Sequence, residues 1–138
     1  MKYFASLIRQ YSKEGERVCG DCVRCLRTGS ATYMVLCDGI GSGIYANIAA
    51  ITCAERLCQL FRSGRGFRSA CATVADSMHR AHSENIPYSA FTAVKIFFKR
   101  GTNFVPLFCF GHNMVLIPMY SVKSAFRLFK EEYYGRLL

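Results

Sequence analysis

Apolar residues early in the chain fall in two short runs that predict strands. They are Val18 to Leu26 and Ala31 to Cys37, and the residues between them, Arg27-Thr28-Gly29-Ser30, have turn composition. The spacing then changes. Ile44, Ile48, Ile51, Ala54, Cys58 and Phe61 recur at steps of three and four, which predicts a helix from about Ile44 to Arg62 with that stripe inward and Ser63-Gly64 as its stop. Phe67, Ala70, Cys71, Val74, Ala75, Met78 and Ala81 form the stripe of a second helix, Phe67 to Ser83, closed by Asn85-Ile86-Pro87. Strand patterns return at Ala90 to Lys99, Asn103 to Phe110 and Met114 to Pro118. Ser121 to Tyr134 reads as a last helix with Ala125, Leu128 and Phe129 inward.

Hairpin-length turns between runs of strands imply antiparallel pairing. The order strand, strand, helix, helix, strands predicts an α+β fold, antiparallel β-sheet packed with a helix pair, in place of a doubly wound parallel sheet. The 138 residues suffice for one domain, with residues 1–16 expected as an N-terminal arm and 17–138 as the domain. A composition that is 51% hydrophobic and 20% charged can fill a core and excludes a disordered chain.

Two other features bear on the compartment. Gly101 to Val122 carries no Lys, Arg, Asp or Glu and is long enough to cross a bilayer. Pro106, Gly111, His112, Asn113 and Pro118 interrupt it, so two buried strands and a turn are expected and no membrane partner. Eight cysteines invite a disulfide framework. Cys53, Cys58 and Cys71 occupy apolar helical positions, and Cys37 and Cys109 lie in apolar strand runs. Arg9 breaks any signal-peptide pattern, so reduced, mostly buried thiols and a cytoplasmic location are expected.

Eighteen Lys and Arg against nine Asp and Glu give a formal charge of +9. Such a surface suits phosphate-bearing partners, and it also simply confers solubility. The arginines are scattered, which weakens the case for nucleic acid.

The most informative stretch is Asp38-Gly39-Ile40-Gly41-Ser42-Gly43. An apolar strand delivers an Asp at its end, the glycines let the backbone turn sharply, and a helix follows. A rigidly aimed carboxylate of this kind suits a hard cation. There is no Gly-Lys-Ser/Thr, so this is not a P-loop. Gly41-Ser42-Gly43-Ile44-Tyr45-Ala46 satisfies the loose dinucleotide fingerprint, but a second helix stands where that fold needs a strand ending in an acid. Asp21, in the first strand, would approach Asp38 if the two strands pair, and two carboxylates so placed repel unless a cation or proton lies between them. The alternative is that Asp21 is an ordinary solvated strand residue.

Cys19, Cys22 and Cys25 have a spacing that thiolate metal sites use, but along a strand steps of three alternate faces. His79 and His82 stand one helical turn apart with no Glu or Cys partner at helical distance, and surface or interface histidines are expected.

Gly20-Asp21, a hairpin, Asp38-Gly39-Ile40-Gly41-Ser42-Gly43 with Ala46, two helices, Phe91-Thr92-Ala93 and Gly111-His112 follow one another in an order that resembles the metal-dependent (PPM) protein phosphatases. Within them the pattern looks most like the bacterial group that includes stage II sporulation phosphatase E. The resemblance spans about residues 18–118. It implies a layered α+β fold and hydrolysis of phosphoserine or phosphothreonine in a phosphoprotein substrate, with two Mg²⁺ or Mn²⁺ ions as cofactors. Carried over, Asp38 would bridge the metals and be the catalytic residue, Gly39 would offer its carbonyl, and Asp21 would hold a metal directly or through water.

The family also uses acids after its Gly-His segment, in an Asp-Gly strand end and an Asp-Asn pair, and this chain has no Asp after Asp76. The expectation is therefore a partial domain lacking its C-terminal part, impaired as an isolated chain. A missing partner segment or self-association would follow, with an open strand edge near Ala90–Pro118. The alternative from another class is a non-catalytic regulatory module that recognises a phosphoprotein or nucleic acid through its basic surface.

Overall fold

Buried and open positions alternate strictly along residues 31–39, and this strand organises the molecule. In a computed structural model, β1 (Asp21–Arg27) and β2 (Ala31–Gly39) form a hairpin. Then come α1 (Gly43–Arg62), α2 (Phe67–Ser83), β3 (Ser89–Phe97), β4 (Val105–Phe110) and β5 (Asn113–Leu116). The structure describes residues 6–12, 14–15, 17–97, 105–110 and 113–116. The Gly111-His112 turn and the helix expected at Ser121–Tyr134 lie outside the described residues, as does part of the arm.

Each strand pairs antiparallel with the next in sequence, so the described sheet runs β1-β2-β3-β4-β5. Both helices pack on one face. Ala31, Tyr33, Val35 and Cys37 of β2, Cys22 of β1, and Phe91 and Ala93 of β3 meet Cys53, Leu57 and Phe61 of α1 and Phe67, Cys71 and Val74 of α2. Tyr33 stacks on Phe61 with centroids 4.5 Å apart, Phe61 on Phe67 at 5.5 Å, and Lys95 Nζ stands 5.6 Å from the Tyr33 ring. These contacts close the core at the end where α1 turns into α2. The α+β class expected from the pattern is the class observed.

Both helices stop where their sequences say they should. After α1, Gly64 N–H reaches the Phe61 carbonyl and Arg65 N–H reaches Leu60. After α2, Asn85 N–H reaches His82 and Ile86 N–H reaches Ala81. Each is the double-bonded C-terminal cap that a left-handed residue makes possible, Gly64 in one case and Asn85 at φ +56° in the other.

The inward face of α1 is not the one its isoleucines suggest. Ile44, Ile48 and Ile51 are 59%, 53% and 37% exposed, whereas Ala46, Ala49, Ala50, Cys53, Ala54, Leu57, Cys58, Leu60 and Phe61 are buried. The C-terminal half of the expected stripe holds, and the N-terminal half is rotated away. The cause is the close approach of α1 to β2, which admits alanine and has no room for a branched side chain. In β1, regular pairing starts at Asp21, three residues later than expected.

Leu57 is fully buried and Ile44 is largely exposed. Leu57→Ala is expected to cost about 2–5 kcal/mol, and Ile44→Ala no more than about 0.5 kcal/mol, measured by urea unfolding. The opposite order would place the isoleucine row inside.

Candidate functional site

The hairpin register sets Asp21 directly opposite Asp38. The pairing brings the two carboxyl groups close enough at the end of the sheet to act on each other electrostatically. The backbone around both is pinned from several directions. Gly39 N–H donates to the Gly20 carbonyl (3.1 Å), and Ile40 N–H donates to the Tyr88 carbonyl (3.0 Å). The Ser89 hydroxyl lies 2.9 Å from the Asp38 carbonyl. Gln10 Nε2 donates to the Asp21 carbonyl (3.0 Å), and Asn47 Nδ2 of α1 donates to the Cys19 carbonyl (2.6 Å).

The glycines of the loop do different work. At Gly39 a Cβ would run into the Ala46 carbonyl, so glycine here is what lets α1 seat against β2. Gly41 and Gly43 turn the chain into α1 at φ +107° and +70°, a region that L side chains rarely adopt. The first turn of α1 contains no acid, and Ser42, its N-cap, makes no side-chain capping bond.

Partial desolvation raises the Asp38 carboxyl above the ordinary carboxylate range. The negative charge of Asp21 and the hydrogen bond between the two groups raise it further. A proton or a cation relieves that repulsion. Two carboxylates with a neighbouring carbonyl make an all-oxygen donor set, the kind that Mg²⁺ and Mn²⁺ prefer. A hard dication held by two carboxylates would take most of its shell from water. Among the described residues, no group of three or more His, Cys, Asp and Glu is clustered as a metal site. A two-ion centre therefore needs more carboxylates than this cluster brings.

The described chain has part of the fold of a PPM-type phosphatase. A solved structure that it matches is RsbX in complex with magnesium, at a TM-score of 0.59 and 20% sequence identity, over 74% of this chain and 46% of RsbX. At that identity the likeness is one of fold. The chain spans less than half the length of the protein it matches. No protein-family model and no curated protein matches it.

The other sequence candidates are placed apart from the carboxylates. Cys22 is buried and Cys25 exposed, as strand alternation requires, and Cys19, half-buried, lies before β1. Burial also raises the Cys22 and Cys58 thiols. For Cys37 the hydrogen bond to Cys53 is the largest cause of the upward shift, ahead of burial, and a thiol raised in this way favours its protonated form. His79 and His82 are exposed, and His82 lies against the Tyr88 ring at 4.7 Å. No helix among the described residues is long and apolar enough to cross a membrane. Sequence reasoning missed Asn47, Tyr88 and Ser89. A lone Asn in the first turns of an otherwise apolar helix was the one available signal.

Because the folded state raises the Asp38 pKa, its ionisation opposes folding. The penalty is absent below the ordinary carboxylate pKa near 4 and complete once the pH exceeds the raised value. In metal-free protein, Asp38→Asn is expected to raise the melting temperature at pH 7.5 and to leave it nearly unchanged at pH 3.5. Thermal unfolding at the two pH values checks this. A variant less stable than wild type at pH 7.5 would mean that the carboxylate is held by favourable contacts.

Proposed function

We propose that this chain carries part of the catalytic site of a metal-dependent serine/threonine phosphatase of the PPM type, in the group that resembles stage II sporulation phosphatase E. The observation that carries this reading is the cross-strand pairing of Asp21 and Asp38 just before the glycine loop that enters α1, on a fold shared with a PPM-type phosphatase. Asp38, Asp21 and the Gly39 carbonyl would hold Mg²⁺ or Mn²⁺. When bound, the cation supplies positive charge against the phosphoryl oxygens and acidifies water.

The residues of the chain contribute position and charge. Asp38 sits at the last but one residue of a strand fixed on both sides by β1 and β3, so its carboxylate is aimed by the sheet and not by a mobile loop. Asp21 supplies the second negative charge, which makes the pair a better cation ligand than either alone. The Ser89, Tyr88 and Gly20 contacts hold the backbone of residues 38–40 in place while the ligand set is loaded. The substrate on this reading is a phosphoserine or phosphothreonine protein, and full turnover draws on further carboxylates beyond Asp21 and Asp38.

Mn²⁺ titration followed by electron paramagnetic resonance tests the assignment. Wild type is expected to bind Mn²⁺ weakly, and Asp38→Asn and Asp21→Asn at least tenfold more weakly still. Equal binding in wild type and Asp38→Asn would sink it. In steady-state assays the 138-residue chain is expected to hydrolyse p-nitrophenyl phosphate near background with Mn²⁺ present. Robust Mn²⁺-dependent turnover that vanishes in Asp38→Ala would show instead that the chain is a complete enzyme.

A further inference from the structure

The hairpin holds the backbone of Asp21 on one side only. Gly39 N–H bonds the Gly20 carbonyl, so Gly20 and Gly39 are a hydrogen-bonded pair of the ladder. Bonded and non-bonded pairs alternate between antiparallel strands, and the next pair in the same register, Asp21 with Asp38, is therefore a non-bonded one. Such a pair is the closer kind, with Cα atoms about 4.5 Å apart, and its backbone N–H and C=O groups point away from the partner strand. For Asp38 they point toward β3, where the Ser89 hydroxyl bonds the Asp38 carbonyl (2.9 Å). For Asp21 they point to the outer edge of β1, where the described sheet has no further strand.

At that edge stands the N-terminal arm. Gln10 Nε2 donates to the Asp21 carbonyl (3.0 Å), the Ser6 hydroxyl to the Cys25 sulfur (3.7 Å) and the Cys19 thiol to the Tyr11 carbonyl (3.5 Å). Ser6 and Gln10 are as far apart in sequence as Cys25 and Asp21, so the arm runs antiparallel to β1 and in step with it. Residues 6–12 form no regular strand, and Leu7 and Tyr11 are 81% and 80% exposed. Side-chain hydrogen bonds, and neither a backbone ladder nor core packing, tie the arm to the edge.

We propose that the arm is a strap on the open edge of β1, and that Gln10 is a positioning residue of the metal site: by holding the Asp21 carbonyl it fixes the backbone that aims the Asp21 carboxylate. This inference rests on the phosphatase reading above. The two acids differ in how firmly they are held. Asp38 lies in a strand paired on both sides, whereas Asp21 is the first residue of an outer strand, the kind of place where a sheet frays. Repulsion between the carboxylates therefore displaces Asp21 before Asp38, and a latch on the Asp21 carbonyl opposes that movement. Gln10 carries no charge, so it acts on the cation through geometry alone. Ser89 on the Asp38 carbonyl and Gln10 on the Asp21 carbonyl are matching latches on the two outer sides of the pair.

The test is Mn²⁺ titration of the full chain by electron paramagnetic resonance, with two substitutions of similar length. Gln10→Met removes the donor. Gln10→Glu removes it too and adds a negative charge, which by charge alone would tighten cation binding. Both are expected to weaken Mn²⁺ binding about three- to fivefold, the loss of one hydrogen bond. Gln10 is exposed, so circular dichroism and the metal-free melting temperature are expected to match wild type. In an Asp21→Asn background, Gln10→Met is expected to change Mn²⁺ affinity by less than about 1.5-fold, because the residue acts through Asp21. Tighter binding by Gln10→Glu, an affinity for Gln10→Met within about 1.5-fold of wild type, or an undiminished loss in the Asp21→Asn background overturns the positioning role and leaves the phosphatase reading standing. Mn²⁺ binding indifferent to both Asp21→Asn and Asp38→Asn overturns the phosphatase reading, and this inference with it.

Discussion

The seat of α1 on the end of β2 is the constraint from which the rest of the site follows. Gly39 has no Cβ, and the Ala46 carbonyl occupies the space where one would stand. Backbone meets backbone there, so α1 must present its smallest residues, and the alanines at 46, 49, 50 and 54 are all buried. The same contact fixes the loop of residues 40–42, holds Gly20 against Gly39 through a hydrogen bond, and so keeps β1 in the register that sets Asp21 opposite Asp38. A larger residue at either Gly39 or Ala46 would disturb helix, loop and carboxylate pair together.

The two ends of the molecule are held by different means. At the end where α1 joins α2, Tyr33, Phe61 and Phe67 stack, and large apolar area is buried. At the carboxylate end the fixing is polar, through the Ser89, Tyr88, Asn47 and Gln10 hydrogen bonds, and two like charges are forced together. The Arg24–Glu55 ion pair, 2.7 Å long and partly exposed on both sides, ties β1 to α1 and contributes little by itself. Stability accumulates at one end, and the groups suited to chemistry stand at the other.

Much of this is written locally in the sequence. The α2 boundaries, Phe67 and Ser83, are legible because one clean apolar stripe runs between a glycine turn and a left-handed Asn followed by Ile-Pro. The hairpin is legible from Thr28 and Gly29 between two apolar runs, and once it is granted, the meeting of Asp21 and Asp38 follows. The face of α1 was misread because the helix is apolar on two sides. Isoleucines fill one and alanines, cysteines and leucines the other, and hydrophobicity alone favours the larger row. Shape decides the matter, through a glycine in the preceding strand. Asn47 and Ser89 could not be read because their partners lie 28 and 51 residues away, and no short-range pattern encodes such a contact.

The order of pairing in the sheet has a kinetic meaning. The hairpin closes through a turn of a few residues, so Asp21 and Asp38 can come together in a short contiguous stretch at small cost in loop entropy. The pairing of β2 with β3 joins Gly39 to Ser89 across both intervening helices. That long-range step dominates the contact order of the described chain and is the natural slow step of its folding. The repelling carboxylates thus belong to the local part of the fold, and Ser89, which helps to hold them, to the long-range part. The nascent hairpin bears that repulsion without the packing that later contains it, so a divalent cation that bridged the pair would act on folding as well as on the finished fold.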